Sequence, residues 1–244
     1  LGDYLRAIDF YEQSLAIATE LGNLDLEGIA YSNTGFAYLD LGRLLEAERV
    51  FFNAITVQES IRGNLQEDTN KISLFDTQVN PYQGLEQVLV NQNKIEAALE
   101  VTERGRARAF IDLLEERLPS EQVDQFSVGK LPDIKQIQQI AQAHQSVLVV
   151  YSLINVGPEN SSLSMLYIWV VKPTGEITFE PVNLKDQRFA FNDLLQQSRK
   201  AIGVRGRGGF TLASNAVNET EQLRRLHELL IEPIAKHLPN DPNQ

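Results

Sequence analysis

Four charged residues stand at intervals of four: Glu100, Arg104, Arg108 and Asp112. On a helix that spacing places them on one face, where each oppositely charged pair is worth roughly 0.2–0.5 kcal/mol. The row reads either as a ladder that stiffens the helix or as a dock for an acidic partner segment through Arg104 and Arg108. Arg106 points elsewhere. A second basic feature is Gly203-Val204-Arg205-Gly206-Arg207-Gly208-Gly209. Arg205 and Arg207 on such a backbone can hold a phosphate or an acidic peptide, can offer a cleavage or regulatory site, or can simply decorate a surface loop. The glycines do not fit a phosphate loop, which needs Gly-Lys-Ser/Thr entering a helix, and they lack the dinucleotide spacing. His144, His227 and His237 show no metal-ligand spacing; the last two are ten residues apart, too far for an i,i+4 pair. There is no Gly-x-Ser-x-Gly elbow. Cysteine is absent, which excludes a thiolate nucleophile, a thiolate metal site and a disulfide anywhere in these 244 residues. No catalytic residue, cofactor site or metal site is predicted.

These residues must be positioned by a chain with ordinary globular composition: 43 % hydrophobic and 23 % charged, enough apolar matter for a core. The net charge of −11 argues against nucleic acid or an anionic membrane surface as the main partner. No apolar run approaches the roughly 20 residues that span a bilayer. The first residues are not a signal peptide, and with no cysteine the chain fits a cytoplasmic setting. It has no starting Met and opens in mid-pattern, so it reads as a fragment.

The pattern is a repeat with an offset of 40. Leu1-Gly2-Asp3-Tyr4-Leu5-Arg6-Ala7 answers Leu41-Gly42-Arg43-Leu44-Leu45-Glu46-Ala47. Tyr11 answers Phe51, Ser14 answers Ala54, and Ile17 answers Val57. Small and large residues recur at helical spacing in both copies, with another helix between them over 28–41. Ala7 and Ala47 allow close helix approach, and Gly42 supplies the turn. Gly35 costs about 1 kcal/mol against Ala in a helix, a cost that tight packing by a partner helix would justify. Asn80-Pro81 then opens a helix over 82–91, Gln92-Asn93-Lys94 is a turn, and a long helix covers 95–118.

Gly35, Tyr38, Ala47, Phe51 and Ala54 resemble the tetratricopeptide-repeat signature in order and spacing. The usual period is about 34 residues, so this is similar to a longer form. The resemblance implies that Leu1 enters at the turn inside a repeat whose first helix is missing. It also implies a concave face on the helix carrying Ile29, Ser32, Asn33, Phe36 and Asp40, with Ile29, Asn33, Phe36 and Asp40 as peptide-binding candidates. Asn33 matches a position that bonds a peptide's backbone or terminal carboxylate in some members. Against that, Ile29 and Phe36 fit equally well as packing against a neighbour.

After residue 118 the texture changes. Residues 119–133, with two prolines and Gly129, read as a linker, and 134–144 as a short amphipathic helix. Val147-Leu148-Val149-Val150-Tyr151 is continuously apolar, as expected of a strand buried on both faces. Met165–Val171 and 177–184 follow as strands, the last ending near Pro181. Helices are predicted over 186–202 and 218–238, with a break near Pro233. The stretch Ala98–Phe110, the stretch Leu229–Pro239 and the strand pair 147–153 and 166–171 resemble a CHAT domain and the helix that joins it to tetratricopeptide repeats. CHAT domains are similar to caspase and separase peptidases, whose histidine and cysteine lie late in the domain, so by that pattern beyond Gln244.

The expected architecture is therefore α followed by α/β. Tetratricopeptide-type hairpins occupy 1–118 and a linker 119–133, and 134–244 is the N-terminal part of a caspase-like α/β domain. The function expected is a protein-binding scaffold whose partner is a protein or peptide segment. The alternative implied by the resemblance is the front of a cysteine peptidase or of its inactive regulatory relative.

Overall fold

The computed structural model describes residues 3–64, 81–117, 132–155, 164–184 and 216–239. The expected helix over 186–202, the loop with Arg205 and Arg207, and nearly all of the 119–133 linker lie outside the described residues. The chain forms two compact units, Leu1–Gln136 and Ile137–Gln244.

The first unit is built from α1 (Tyr4–Leu21), α2 (Leu24–Asp40), α3 (Leu44–Asn64), α4 (Pro81–Asn91) and α5 (Ile95–Arg117). Asp3 and Asn23 begin α1 and α2 by accepting the backbone N–H of Arg6 and Leu26 at 3.3 and 3.1 Å. Three helices, α1, α2 and α4, end in the same left-handed turn. At Gly42 the glycine N–H donates to Leu39 O and the next N–H, from Arg43, reaches back to Tyr38 O. The same two bonds recur at Gly22 and again, 51 residues after Gly42, at Asn93. All three residues have positive φ (65°, 72° and 59°), and Asn is the non-glycine residue best able to adopt it. The repeat register therefore continues into α4 and α5 with a longer offset.

Packing in this unit centres on Phe51, which is fully buried. A Cβ built on Gly35 of α2 would meet its ring at 2.7 Å, and one built on Gly84 of α4 would overlap it outright. Phe36 closes the ring's edge, with centroids 4.9 Å apart and planes at 80°. Ala47 and Ala54, one turn either side of Phe51, are fully buried. Polar contacts fix the ends. Glu48 of α3 accepts from Gln92 at 2.8 Å and from Lys94 at 2.9 Å, tying the α4–α5 turn to α3. The Tyr82 hydroxyl donates to Glu59 at 3.0 Å, and the side chain of Tyr82 lies against Gly105 of α5, where a Cβ would stand 3.1 Å away.

The second unit contains most of α6 (Ile134–His144), then β1 (Leu148–Asn155), β2 (Ser164–Val171), β3 (Ile177–Asn183) and α7 (Ala216–Leu230), and ends in a 3-10 helix, Glu232–His237. Asp133 and Gln136 form a capping box at the start of α6, each side chain accepting the other's backbone N–H. The sheet is an antiparallel meander in the order β1-β2-β3. That corrects two expectations. β1 is not buried on both faces: it is an outer strand, pairing with β2 alone among the described residues, and Val149, Val150 and Tyr151 are only half-buried. The doubly buried strand is β2, which lies between the other two. Nor does β3 end at Pro181. It continues to Asn183 because a proline without an N–H is tolerated on an outer strand.

One face of β2 (Leu166, Ile168 and Val170) joins Leu184 and Ile234 in a core flanked by Leu226, Leu229 and Leu230 of α7. On the other face Tyr167 and Trp169 stack with Phe179 at centroid distances of 5.1–5.9 Å. The Tyr151 hydroxyl donates to Leu230 O at 2.9 Å, at the end of α7. The break expected near Pro233 is the step from α7 into the 3-10 helix, with the proline in its first turn. Glu180 of β3 holds that helix through Lys236 at 2.6 Å and His237 at 3.0 Å.

Two predictions follow from these contacts. Gly-to-Ala changes on a helix ordinarily stabilise it by about 1 kcal/mol. Gly84→Ala instead destabilises the first unit, because overpacking costs about 1–3 kcal/mol, and the loss shrinks when Phe51→Leu is added. Urea titration followed by helical circular dichroism measures both, and a stabilising Gly84→Ala would refute the clamp. The second concerns Glu180, whose carboxyl lies below its ordinary value of 4.5, first through the Lys236 hydrogen bond and then through His237. A depressed folded value means that this stabilisation is complete above 4.5 and is lost as pH falls through the folded value. Glu180→Gln should thus cost about 1 kcal/mol or less at pH 7, with the gap from the parent closing on acidification below the ordinary carboxylate value. A gap that is constant down to pH 3 would contradict it.

Candidate protein-binding surface

Ile29, Asn33, Phe36 and Asp40 fall at successive turns of α2, so they form one stripe along the helix. α2 is held rigidly, with α1 against one flank and α3 against the other. The four residues are not equally available. Ile29 is exposed at 37 % and Asp40 is exposed, while Asn33 and Phe36 are half-buried. Phe36 is already engaged with Phe51, so its part is chiefly in packing. Ser32, expected on the same face, is turned inward: it is buried and its hydroxyl donates to Gly28 O at 2.8 Å.

The polar end of the stripe has its own electrostatics. The Tyr4 hydroxyl bonds the Asp40 carboxylate. Partial burial raises the Asp40 pKa, and the bond from Tyr4 offsets part of that rise. The same negative charge, ahead of burial and the hydrogen bond, raises Tyr4. An anchored carboxylate, an amide and an isoleucine in a row offer an acceptor, a donor–acceptor and an apolar contact to an extended or helical peptide.

The face is one helix wide. In the 51-residue register, Asn33, Phe36 and Asp40 correspond to Gly84, Gln87 and Asn91 of α4. Gly84 and Gln87 are buried, and only Asn91 is exposed.

The arginine row behaves differently. Arg104 pairs with Glu100 at 2.5 Å and donates to Pro132 O at 3.3 Å. The second oxygen of Glu100 accepts the N–H of Ile134 at 3.1 Å. Arg104 therefore fastens the 132–134 segment to α5 within the first unit, which is an internal task. The side chain of Arg108, and Arg205 and Arg207 entirely, lie outside the described residues. Arg106 pairs with Glu103 at 2.8 Å. Among the described residues no group of His, Asp or Glu could hold a metal ion, and no helix is long and apolar enough to cross a membrane.

Sequence reasoning missed the double use of Phe51, and with it Gly84 and Gly105. The signal was present in the Asn93 turn, which restarts the register where glycine is replaced by the non-glycine residue best able to adopt its backbone conformation.

Comparison with known proteins agrees with the hairpin geometry. The chain is 35 % identical over 154 residues, 63 % of its length, to tetratricopeptide repeat protein 28 of Mus musculus. It is 37 % identical over 134 residues, 54 % of its length, to the protein of the same name from Homo sapiens. The chain spans only 6 % and 5 % of the length of these relatives. No family model and no solved structure matches it. In its helical hairpins and in these relatives, then, the chain is similar to proteins of tetratricopeptide-repeat type.

Proposed function

We propose that the chain is a protein-interaction scaffold in which the α2 stripe holds a peptide segment of a partner protein. The observation that carries this reading is the stripe itself. Ile29 and Asp40 stand exposed on a helix whose other flanks are fixed by α1 and α3, with Asn33 between them. A rigid platform with a few placed polar groups binds at low ordering cost. The net charge of −11 favours a protein partner over nucleic acid. The tetratricopeptide-repeat relatives support a repeat-based scaffold.

Further parts of the reading rest on sequence resemblance. The second unit is taken as the N-terminal part of a CHAT-like domain, on the resemblance of the stretch Leu229–Pro239 and of the strand pair 147–153 and 166–171, with Ala98–Phe110 resembling the helix that joins such a domain to the repeats. Its role here is that of a domain positioned by the repeats. No enzymatic role is proposed for this chain, since it has no cysteine, and a cytoplasmic setting fits the same absence. The peptidase alternative concerns a longer polypeptide that supplies a histidine and a cysteine. Cleavage activity lost on replacing that cysteine would establish it.

Selecting binders to the immobilised full chain from a random 12-residue peptide library tests the stripe. Selected peptides should lose about tenfold or more in affinity on Asp40→Ala and on Asn33→Ala, as expected for one charge-assisted or buried hydrogen bond, with the helical signal and Tm retained. Affinity untouched by both changes, or no selectable peptide, would remove α2 as the binding surface.

A further inference from the structure

α2 carries Asp25, Glu27 and Asp40 and no lysine, arginine or histidine. The first two sit in its opening turn, where the positive end of the helix dipole favours an anion. Asp40 sits at the other end, where the carbonyls carry partial negative charge and a cation is favoured instead. Its surroundings do not correct the mismatch. The Tyr4 hydroxyl donates to the carboxylate, yet crowding by neighbours still holds the carboxyl above its ordinary value. No cation pairs with Asp40 among the described residues. Arg43, three residues on, is committed elsewhere: its guanidinium donates to Glu46 at 2.6 and 2.9 Å and lies 4.8 Å from the Tyr38 ring centroid.

The fold does not require a charge in that place. In the 51-residue register Asn91 ends α4 where Asp40 ends α2, exposed and neutral, two residues before the same left-handed turn. Glu20, in that place on α1, is exposed, and among the described residues no hydroxyl holds it. Asp40 alone of the three is both charged and fixed in position. A carboxylate held at the wrong end of a dipole without a counter-ion is costly to the free chain, and such breaches of a local rule belong at functional sites. A cation supplied by a ligand removes the cost on binding.

We propose that the α2 stripe selects cationic segments, a lysine or arginine of the partner pairing with Asp40 while Ile29 receives an apolar side chain and Asn33 a backbone group between them. This rests on the reading of α2 as the binding surface and adds the sign of its ligand. Ile29 and Asp40 stand about 16 Å apart along the helix, so in an extended segment the cation and the apolar residue are about five positions apart. The net charge of −11 draws such segments in. A segment presenting acidic side chains or a terminal carboxylate to this end of α2 meets like charge instead.

Peptides selected on the full chain from the random 12-residue library decide it. They should carry lysine or arginine well above library frequency, with an apolar residue about five positions away, and C-terminal amidation should leave their affinity unchanged. For the tightest peptide, Asp40→Asn in the chain and glutamine in place of the peptide's cation should each cost about tenfold, and the two together little more, because both remove the same pair. Asp40→Asn, which copies the end of α4, should meanwhile raise the Tm of the free chain at pH 7 by about a degree or more. A side chain that merely supports the fold would lower it. Peptides that lose affinity on Asn33→Ala but show no enrichment in cations overturn the proposal and leave the stripe standing. So do two losses that simply multiply, or a Tm that falls with Asp40→Asn. No selectable peptide removes the stripe and the proposal together.

Discussion

One aromatic ring sets the geometry of the helical unit. Phe51 is fully buried and fills the space left by two missing side chains, at Gly35 on the helix before it and at Gly84 on the helix after it. Two glycines within helices are expensive, at about 1 kcal/mol each relative to alanine. What offsets that cost is one large ring packed against both glycine backbones, with Phe36 in a T-shaped contact to it. Because both glycine backbones must come within van der Waals reach of one ring, the separation of α2 and α4 is fixed through α3. The small residues Ala47 and Ala54 follow from the same demand.

The ring gives distance, and the turns give direction. The same two backbone bonds at Gly22, Gly42 and Asn93 reverse the chain each time. Charged side chains then act where the turns meet the helices. Glu48 holds Gln92 and Lys94, and Arg43 pairs with Glu46 while its guanidinium lies 4.8 Å from the Tyr38 ring centroid. Exposed pairs of this kind add little stability, but they select one register of turn on helix. The clamp is also finite. The 51-residue register puts Thr102 where Phe51 stands, and its hydroxyl bonds back to Ala98 O at 2.9 Å. With no ring there, α5 cannot receive a further glycine-bearing helix in the same way.

These features were unevenly legible in the sequence. Offset-40 matching found α1, α2 and α3 because their markers, Gly42, Ala47 and Phe51, are residues with few substitutes. α4 and α5 were legible as a further hairpin but not in the offset of 40, because Asn93 replaces the turn glycine and Thr102 replaces the ring, so their register is fixed by the backbone bonds at Asn93. Strand positions were legible from apolar runs, but their order was not. An unbroken run such as Val147–Tyr151 is equally apolar in an inner strand and in an outer strand with a core on one side, and only pairing with β2 distinguishes them. The arginine row was legible as spacing, and its task was not, since the second partner of Arg104 is a backbone carbonyl 28 residues away.

The same packing logic explains why the proposed binding role falls to α2 and not to α4. Both helices contribute a glycine to the Phe51 clamp, so both have one face committed. α2 keeps Ile29 and Asp40 exposed, whereas α4 is buried on nearly all sides from Pro81 to Leu89. A helix enclosed in that way can transmit position but cannot receive a ligand. The proposed stripe thus belongs to the front of the helical unit, while α4 and α5 serve as its anchored end, where Glu100 and Arg104 bind the 132–134 segment to α5.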